Sequence, residues 1–324
     1  MKRAFAVAAA LAASAALLLS GCGQPIRAET AGGRLSVVCT VFPHYDWTRQ
    51  LLGKRIDELD LTLLVGNGTD LHSFQPSVAD IVKISSCDLF IHVGGESDAW
   101  VADALSEAAN PDMRILNLME ALGEGLKPEA VVEGVAAEEE SREGEEAYDE
   151  HIWLSFKNAE VLSSAIAGEL SALDPKNGNE YADNLSSYIE KLRAADSLYR
   201  EAVSASSSKT LLFGDRFPFR YLTDDYGLSY YAAFPGCSAE TEASFETVAF
   251  LADKLDELGL SGVVVTDSAD LSVAQTIIAN TKAKDQDIFV LDAIQSVTPQ
   301  EIEEGVTWLS IMENNLAALK EALA

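Results

Sequence analysis

LTLLVGNGTDLHSFQPS, Leu61 to Ser77, reads as a strand, a loop and the start of a helix. LTLLV is apolar enough for a strand, GNGTD carries turn chemistry, and Pro76-Ser77 announces a helix from about Val78. His72, one of only four histidines in the chain, falls in the loop. Loops at the carboxyl ends of parallel strands are where α/β sheets hold ligands, so the pairing of this strand decides whether His72 is a candidate.

The same alternation recurs along the chain. Short apolar runs start at Leu35 (LSVVCTV), Asp88 (DLFIHV) and Arg114 (RILNL), and again at Thr210 (TLLF), Leu228 (LSYYAAF), Gly262 (GVVVT) and Asp287 (DIFVL), with helical stretches between them. Strands alternating with helices imply parallel pairing, which predicts an α/β protein of two Rossmann-like, four-stranded lobes. Between the halves, Tyr181, Leu185, Tyr188, Leu192, Ala195, Tyr199 and Val203 recur at three- and four-residue intervals, the period of one helical face. The expected limits are an amino-terminal lobe over 35–172, a linking helix over 173–207 and a carboxyl-terminal lobe over 208–324. A helix spanning both lobes would restrain hinge motion.

The chain has 324 residues, 48% of them hydrophobic, ample for buried cores. Its formal charge of −29 excludes nucleic acid as a partner, because phosphate binding needs clustered Lys and Arg. At the amino terminus Lys2 and Arg3 precede an apolar run from Ala4 through Leu19, shorter than the roughly 20 residues of a spanning helix. Residues 1–21 are therefore expected to be a signal peptide. LSGC, Leu19 to Cys22, resembles a bacterial lipobox, which implies lipidation at Cys22, a tether over 22–34 and an extracytoplasmic, membrane-anchored protein. Cys39, Cys87 and Cys237 remain, with no C-x-x-C spacing, so at most one disulfide is possible. Residues 133–150 are acidic and poor in large apolar side chains, the composition of a mobile, solvated loop or a weak cation collector.

His151, in DEHIWLSF, stands where the acidic run meets an apolar segment. Neutral imidazole is the commonest protein metal ligand, and two loop histidines from separate segments can converge on one ion. His44 in VFPHYDW and His92 in FIHVGG also end strands, and His92 reads as a satisfied histidine beside the cleft. Glu240 and Glu242 precede a helix near Phe245, where acidic caps are expected, and Cys237 would be a soft ligand only if it reached the cleft. Asp267, at the end of GVVVTD, is a candidate acceptor for a histidine N–H.

GTDLHSFQPSVADIVKISSCDLFIHVGGESDAW, then DEHIWLSF, then LSIMENNLAALKEAL, together resemble the zinc- and manganese-binding lipoproteins of bacterial metal ABC importers, the cluster A-I solute-binding proteins. The similarity runs from Leu35 to Leu323. It implies that His72 and His151 bind a divalent metal, zinc first and manganese second, carried as cargo to a cognate ABC permease and its ATPase by a monomeric binding protein. It implies binding and no catalysis. The family usually adds a histidine or glutamate early in the second lobe and an acidic residue near its end. Here GDRFPFRYL places Arg216 at the first position, which has no lone pair to give, and DAIQSVTPQ places Gln295 at the second.

Three expectations follow from that departure. Asp215 turns inward and completes the site with Gln295 or water; or Arg216 docks the carboxylate of an anionic chelator carrying the metal; or Arg216 pairs with a carboxylate and props the lobe. Outside transport, the readings are an adhesin-like surface lipoprotein with a degenerate site, and a metal-dependent hydrolase. The sequence holds no H-E-x-x-H to support the latter.

Overall fold

Four short strands, β1 (Ser36–Cys39), β2 (Asp60–Leu63), β3 (Leu89–His92) and β4 (Arg114–Asn117), pair in the order β2-β1-β3-β4, all parallel. A second parallel sheet repeats the pattern with β5 (Thr210–Arg216), β6 (Ser229–Phe234), β7 (Gly262–Thr266) and β8 (Asp287–Leu291), in the order β6-β5-β7-β8. The predicted α/β class with two four-stranded parallel sheets is the one observed. Strands covered on both faces lose the polar alternation of half-exposed ones. Accordingly LFIH of β3 and GVVVT of β7 are buried throughout.

The computed structural model describes residues 34–66, 69–129, 147–236 and 243–324. The predicted signal peptide, Cys22 and its tether, most of the acidic run, and Cys237, Glu240 and Glu242 lie outside the described residues. Among the described residues, no helix is long and apolar enough to cross a membrane. Cys39 and Cys87 are buried free thiols.

The first sheet is flanked by α1 (Phe42–Leu52), α2 (Val78–Ser86), α3 (Val101–Ser106), α4 (Leu118–Leu122) and α5 (Phe156–Leu173). The start of α2 is fixed by a capping box: Asp80 N donates to Ser77 Oγ at 3.3 Å, and Ser77 N donates to Asp80 Oδ2 at 3.0 Å. That box ends the loop carrying His72. The linking helix, α6, covers Gly178–Ala205 and so begins later than the expected 173, because the turn Pro175–Asn177 separates it from α5. Its 28 residues give a length of about 42 Å, and Tyr181, Tyr188, Leu192, Tyr199 and Val203 form its buried stripe. Near one end Asn184 Nδ2 donates to Leu51 O in α1 at 2.8 Å. Near the other, Tyr199 Oη donates to Met312 O at 2.6 Å.

The second half adds α7 (Arg220–Tyr226), α8 (Phe245–Leu258), α9 (Ser272–Asn280), α10 (Pro299–Glu303) and α11 (Trp308–Ala322). Trp308 stitches the halves together. Its backbone N donates to the buried Asp46 Oδ2 of α1 at 2.9 Å, its indole N–H donates to Trp153 O at 3.2 Å, and its ring packs edge-on against Trp47 and Phe156. Trp153 returns the contact by donating from Nε1 to Ala293 O at 2.9 Å. One hydrophobic core runs through both halves, and Leu35–Ala324 forms a single compact unit.

Candidate metal centre

His72 and His151 meet. Their Nε2 atoms are 3.3 Å apart, and their ring centroids 5.3 Å. Each is presented by the same local device, an aspartate two residues upstream whose carboxylate accepts the histidine's own backbone N–H. The Asp70 Oδ1 to His72 N distance is 2.9 Å, and that from Asp149 Oδ1 to His151 N is 2.8 Å. This is the Asx turn that Asp forms with the amide two residues on. His72 sits in a one-turn 3₁₀ segment, Leu71–Ser73, and His151 lies just before the buried Trp153, whose ring packs edge-on to it.

The other ring nitrogens are engaged too. His151 Nδ1 lies 3.0 Å from Asp149 Oδ1, and because an ionised carboxylate only accepts, Nδ1 carries the proton and Nε2 keeps a lone pair. His72 Nδ1 lies 2.7 Å from Ser97 Oγ, a hydroxyl able to donate or accept. Without an ion, a His72 Nε2–H can bridge to His151. If Nε2 were given to an ion, the ring proton would sit on Nδ1 and Ser97 would accept it. The Ser97 amide is itself held by Glu150, Oε1 at 3.1 Å and Oε2 at 3.3 Å. Burial raises the Glu150 carboxyl above its usual range. Gly95, at φ 80°, is glycine because a Cβ there would run into the Glu150 carboxylate.

Burial, and then the neighbouring His151, lowers His72 to about 4, so the ring is neutral and available as a ligand at physiological pH. Zinc–nitrogen bonds of about 2.0–2.1 Å at a tetrahedral angle separate two ligating nitrogens by roughly 3.3–3.4 Å. The observed Nε2 separation matches that spacing.

The second half contributes differently from what the sequence suggested. Opposite β6, strand β5 carries an extra residue between Phe213 and Arg216, a bulge of the kind that re-aims side chains. Asp215 is not turned toward the histidines. Its Oδ2 accepts from Thr266 N at 3.1 Å and also from the Thr266 hydroxyl. Arg216 forms an ion pair with Asp70, Nη1 to Oδ2, at 2.8 Å. Burial alone would raise the Asp70 carboxyl, but the His72 amide and Arg216 hold it below the usual range.

Among the described residues Gln295 Oε1 is buried without a hydrogen-bond partner, and Gln295 lines a small cavity with Asp70, Arg216 and Asp267. That cavity, about 20 Å³, has room for little more than a water. Among the described residues, no three His, Cys, Asp or Glu side chains are grouped closely enough to hold an ion.

Further expectations are corrected. Asp267 takes no histidine N–H. It accepts from Ala293 N at 3.0 Å and from the Ser296 hydroxyl, and the role expected of it falls to Asp149. Asp149 and Glu150, read as part of a solvated acidic run, are buried against His151 and Ser97 because each is paired there. His44 is not a ligand: Nε2 lies 3.2 Å from both Val41 N and Thr40 Oγ1, and burial, then His92, lowers it to about 3. His92, expected to be a satisfied histidine, has a buried Nδ1 that finds no hydrogen-bond partner among the described residues.

Two parallel α/β halves, with two loop histidines brought together, define a two-lobed α/β protein with a candidate metal site. Residues 37–322 match the family described as zinc-uptake complex component A, periplasmic, and the chain belongs to that family. It is 30% identical over 315 residues to the zinc-binding lipoprotein AdcA of Streptococcus pneumoniae serotype 4, covering 96% of this chain and 60% of that protein. It is 28% identical, over 95% of this chain and 94% of the other, to the high-affinity zinc uptake system protein ZnuA of Bacillus subtilis.

Among solved structures it resembles the Zn(II)-bound ZnuA-like domain of S. pneumoniae AdcA, with a TM-score of 0.70, 28% identity, 90% of this chain and 99% of that one. It also resembles the metal-dependent lipoprotein YcdH of B. subtilis, with a TM-score of 0.72, 26% identity and the same 90% and 99% coverages. The chain thus spans about 60% of the length of the streptococcal relative.

Proposed function

We propose that this chain is the extracytoplasmic solute-binding component of a divalent-metal importer, anchored through Cys22, with zinc as its cargo and manganese a poorer one. His72 and His151 donate to the ion, which is passed to a cognate ABC permease driven by its ATPase. The protein acts as a monomer of two lobes, 35–172 and 208–324, about the linking segment 173–207. The observation that carries this reading is the pair of Nε2 atoms 3.3 Å apart, each on a ring whose Nδ1 is already engaged. Two imidazoles favour zinc over manganese.

Gln295 Oε1, which lacks a partner, and solvent are the donors at hand for the remaining positions, and Asp215 would have to leave Thr266 to join them. The anionic-chelator reading loses support because the Arg216 guanidinium already has a carboxylate and the cavity beside it is water-sized. No observation favours an adhesin role, and the polar groups touching the histidines are taken up in orienting them, which leaves no base poised for hydrolysis among the described residues.

Zinc titration of the full chain against a competing chelator tests the proposal. Stoichiometric binding that is lost in His72→Ala is expected. Equal binding by wild type and His72→Ala would sink it.

A further inference from the structure

A second histidine–carboxylate pair lies outside the site above. His92 ends β3, and Asp98 follows in the loop after it; they are 6% and 4% exposed. His92 Nδ1 stands 3.4 Å from Asp98 Oδ2, too long for an ordinary hydrogen bond, and among the described residues both His92 Nδ1 and Asp98 Oδ1 are buried without a hydrogen-bond partner. Leaving buried polar atoms unmet costs about 1–3 kcal/mol each, so such a pair calls for an occupant.

Both groups are held in place from behind. The His92 ring stacks on Phe90, with centroids 5.3 Å apart and planes 13° from parallel. Asp98 Oδ2 accepts Gly94 N–H at 2.9 Å. Gly94 has φ 96°, and a Cβ there would collide with the Asn117 side chain. The pair borders a cleft of about 470 Å³ at the carboxyl ends of β3 and β4, together with Asn117 and Glu120 and an apolar wall that includes Leu105 and Ile115.

We infer that His92 and Asp98 form a second, weaker zinc site, with the imidazole and the carboxylate as its two protein donors and water from the cleft completing the shell. The 3.4 Å nitrogen–oxygen separation fits two ligands on one tetrahedral zinc, for which about 2.0–2.2 Å bonds give roughly 3.3–3.5 Å. Imidazole with carboxylate is a donor set that suits zinc. Two protein donors, with Glu120 at the cleft as a further anionic neighbour, make an exchangeable site rather than a structural one. The loop that carries Asp98 also carries Ser97, the partner of His72, so both sites hang on one short segment.

The inference does not depend on the function proposed for His72 and His151, and zinc titration of the full chain reads the two separately. Wild type should bind a tight equivalent and a second one roughly a hundredfold weaker. His92→Gln and Asp98→Asn should each weaken only the second event, by about tenfold or more. His72→Ala should remove the tight event and keep the weak one. Histidine ¹⁵N spectra of the wild type, which need no substitution, should show the His92 ring nitrogens moving only after the first equivalent. A wild type that saturates with one equivalent, a weak event that persists undiminished in both variants, or a His92 ring untouched by excess zinc would overturn the inference.

Discussion

Replacing Asp149 isolates the step from local structure to metal affinity. Its Oδ1 receives two N–H groups of one residue, the His151 amide at 2.8 Å and the ring Nδ1 at 3.0 Å. Removing a carboxylate that orients a ligating histidine costs about 10–100-fold in metal affinity, or about 1.4–2.8 kcal/mol. Asp149→Ala deletes both bonds, frees the tautomer and should fall at the upper end. Asp149→Asn keeps an acceptor oxygen but loses the charge, and charge-assisted bonds are about twice as strong as neutral ones, so its loss should be about half as large in free energy. The assay is a competitive zinc titration of each variant beside the wild type, with apo melting curves to show that the fold persists. Asp149→Ala that remains folded and binds zinc within about twofold of wild type would refute the argument that this carboxylate sets His151 for the ion.

Other perturbations reach the lobes and the pH response. Arg216→Met should cost under about 1 kcal/mol of stability, because the pair with Asp70 is partly exposed, and should shift zinc affinity by no more than about threefold, because losing the hold on Asp70 is offset by removing a cation beside the ion; outright loss of binding would mean that this ion pair, and not the imidazoles, sets the affinity. Burial, then Asp267, pushes the Asp292 carboxyl up to about 7 from an ordinary 3.8, so the native state holds the extra proton between those values and stability falls as pH rises through that window. Asp292→Asn should therefore gain on the order of 1–3 kcal/mol over wild type at pH 8 and nothing near pH 4, as read by denaturant melts; a gain independent of pH would contradict this. On the acid side His72 and His44 are held near 4 and 3, so on their account the unfolded chain takes up more protons below about 6.5, a loss that opposes the Asp292 gain over the same range; in the Asp292→Asn background apo stability should therefore drop as pH falls from 6.5 to 4, and a flat melting temperature there would count against it. Trp308→Ala should cost about 3–5 kcal/mol, since it empties a core position shared by both halves; a loss under about 1 kcal/mol would mean the seam is not held there.

The parallel fold was legible because each strand announced itself by an apolar run with helix signals on either side. The limits of the linking helix were less so: the apolar period begins to show only at Tyr181, and the turn Pro175–Asn177 sets where the helix starts. His72 and His151 could be read from their loops, but their partners could not. Asp149 was hidden in an acidic run whose composition says solvent, although the chain held a usable signal, since DLH and DEH repeat one Asp-x-His spacing and that spacing makes an Asx turn. Asp215 and Arg216 were the hardest positions. Strand alternation sends neighbours to opposite faces, but one extra residue in β5 changes where both point, and no residue type in GDRFPF marks the bulge.

On the proposed reading, that bulge would give the second lobe an indirect grip on the ion. Arg216 holds Asp70, and Asp70 holds the amide of His72, so the far half of the protein fixes a first-half ligand through two charge-assisted bonds without touching the metal. On the proposed reading, the shell rests on two neutral imidazoles and neutral oxygens, with a guanidinium nearby that disfavours a dication. Affinity is then bounded by the imidazoles and their carriers rather than by lobe closure. The lobes are already joined by Trp308, Trp153 and α6, so on that reading neither loading nor release would call for a large swing. Small-angle scattering should accordingly show almost no compaction when zinc is added, and a large decrease in radius would mean that the seam opens in solution.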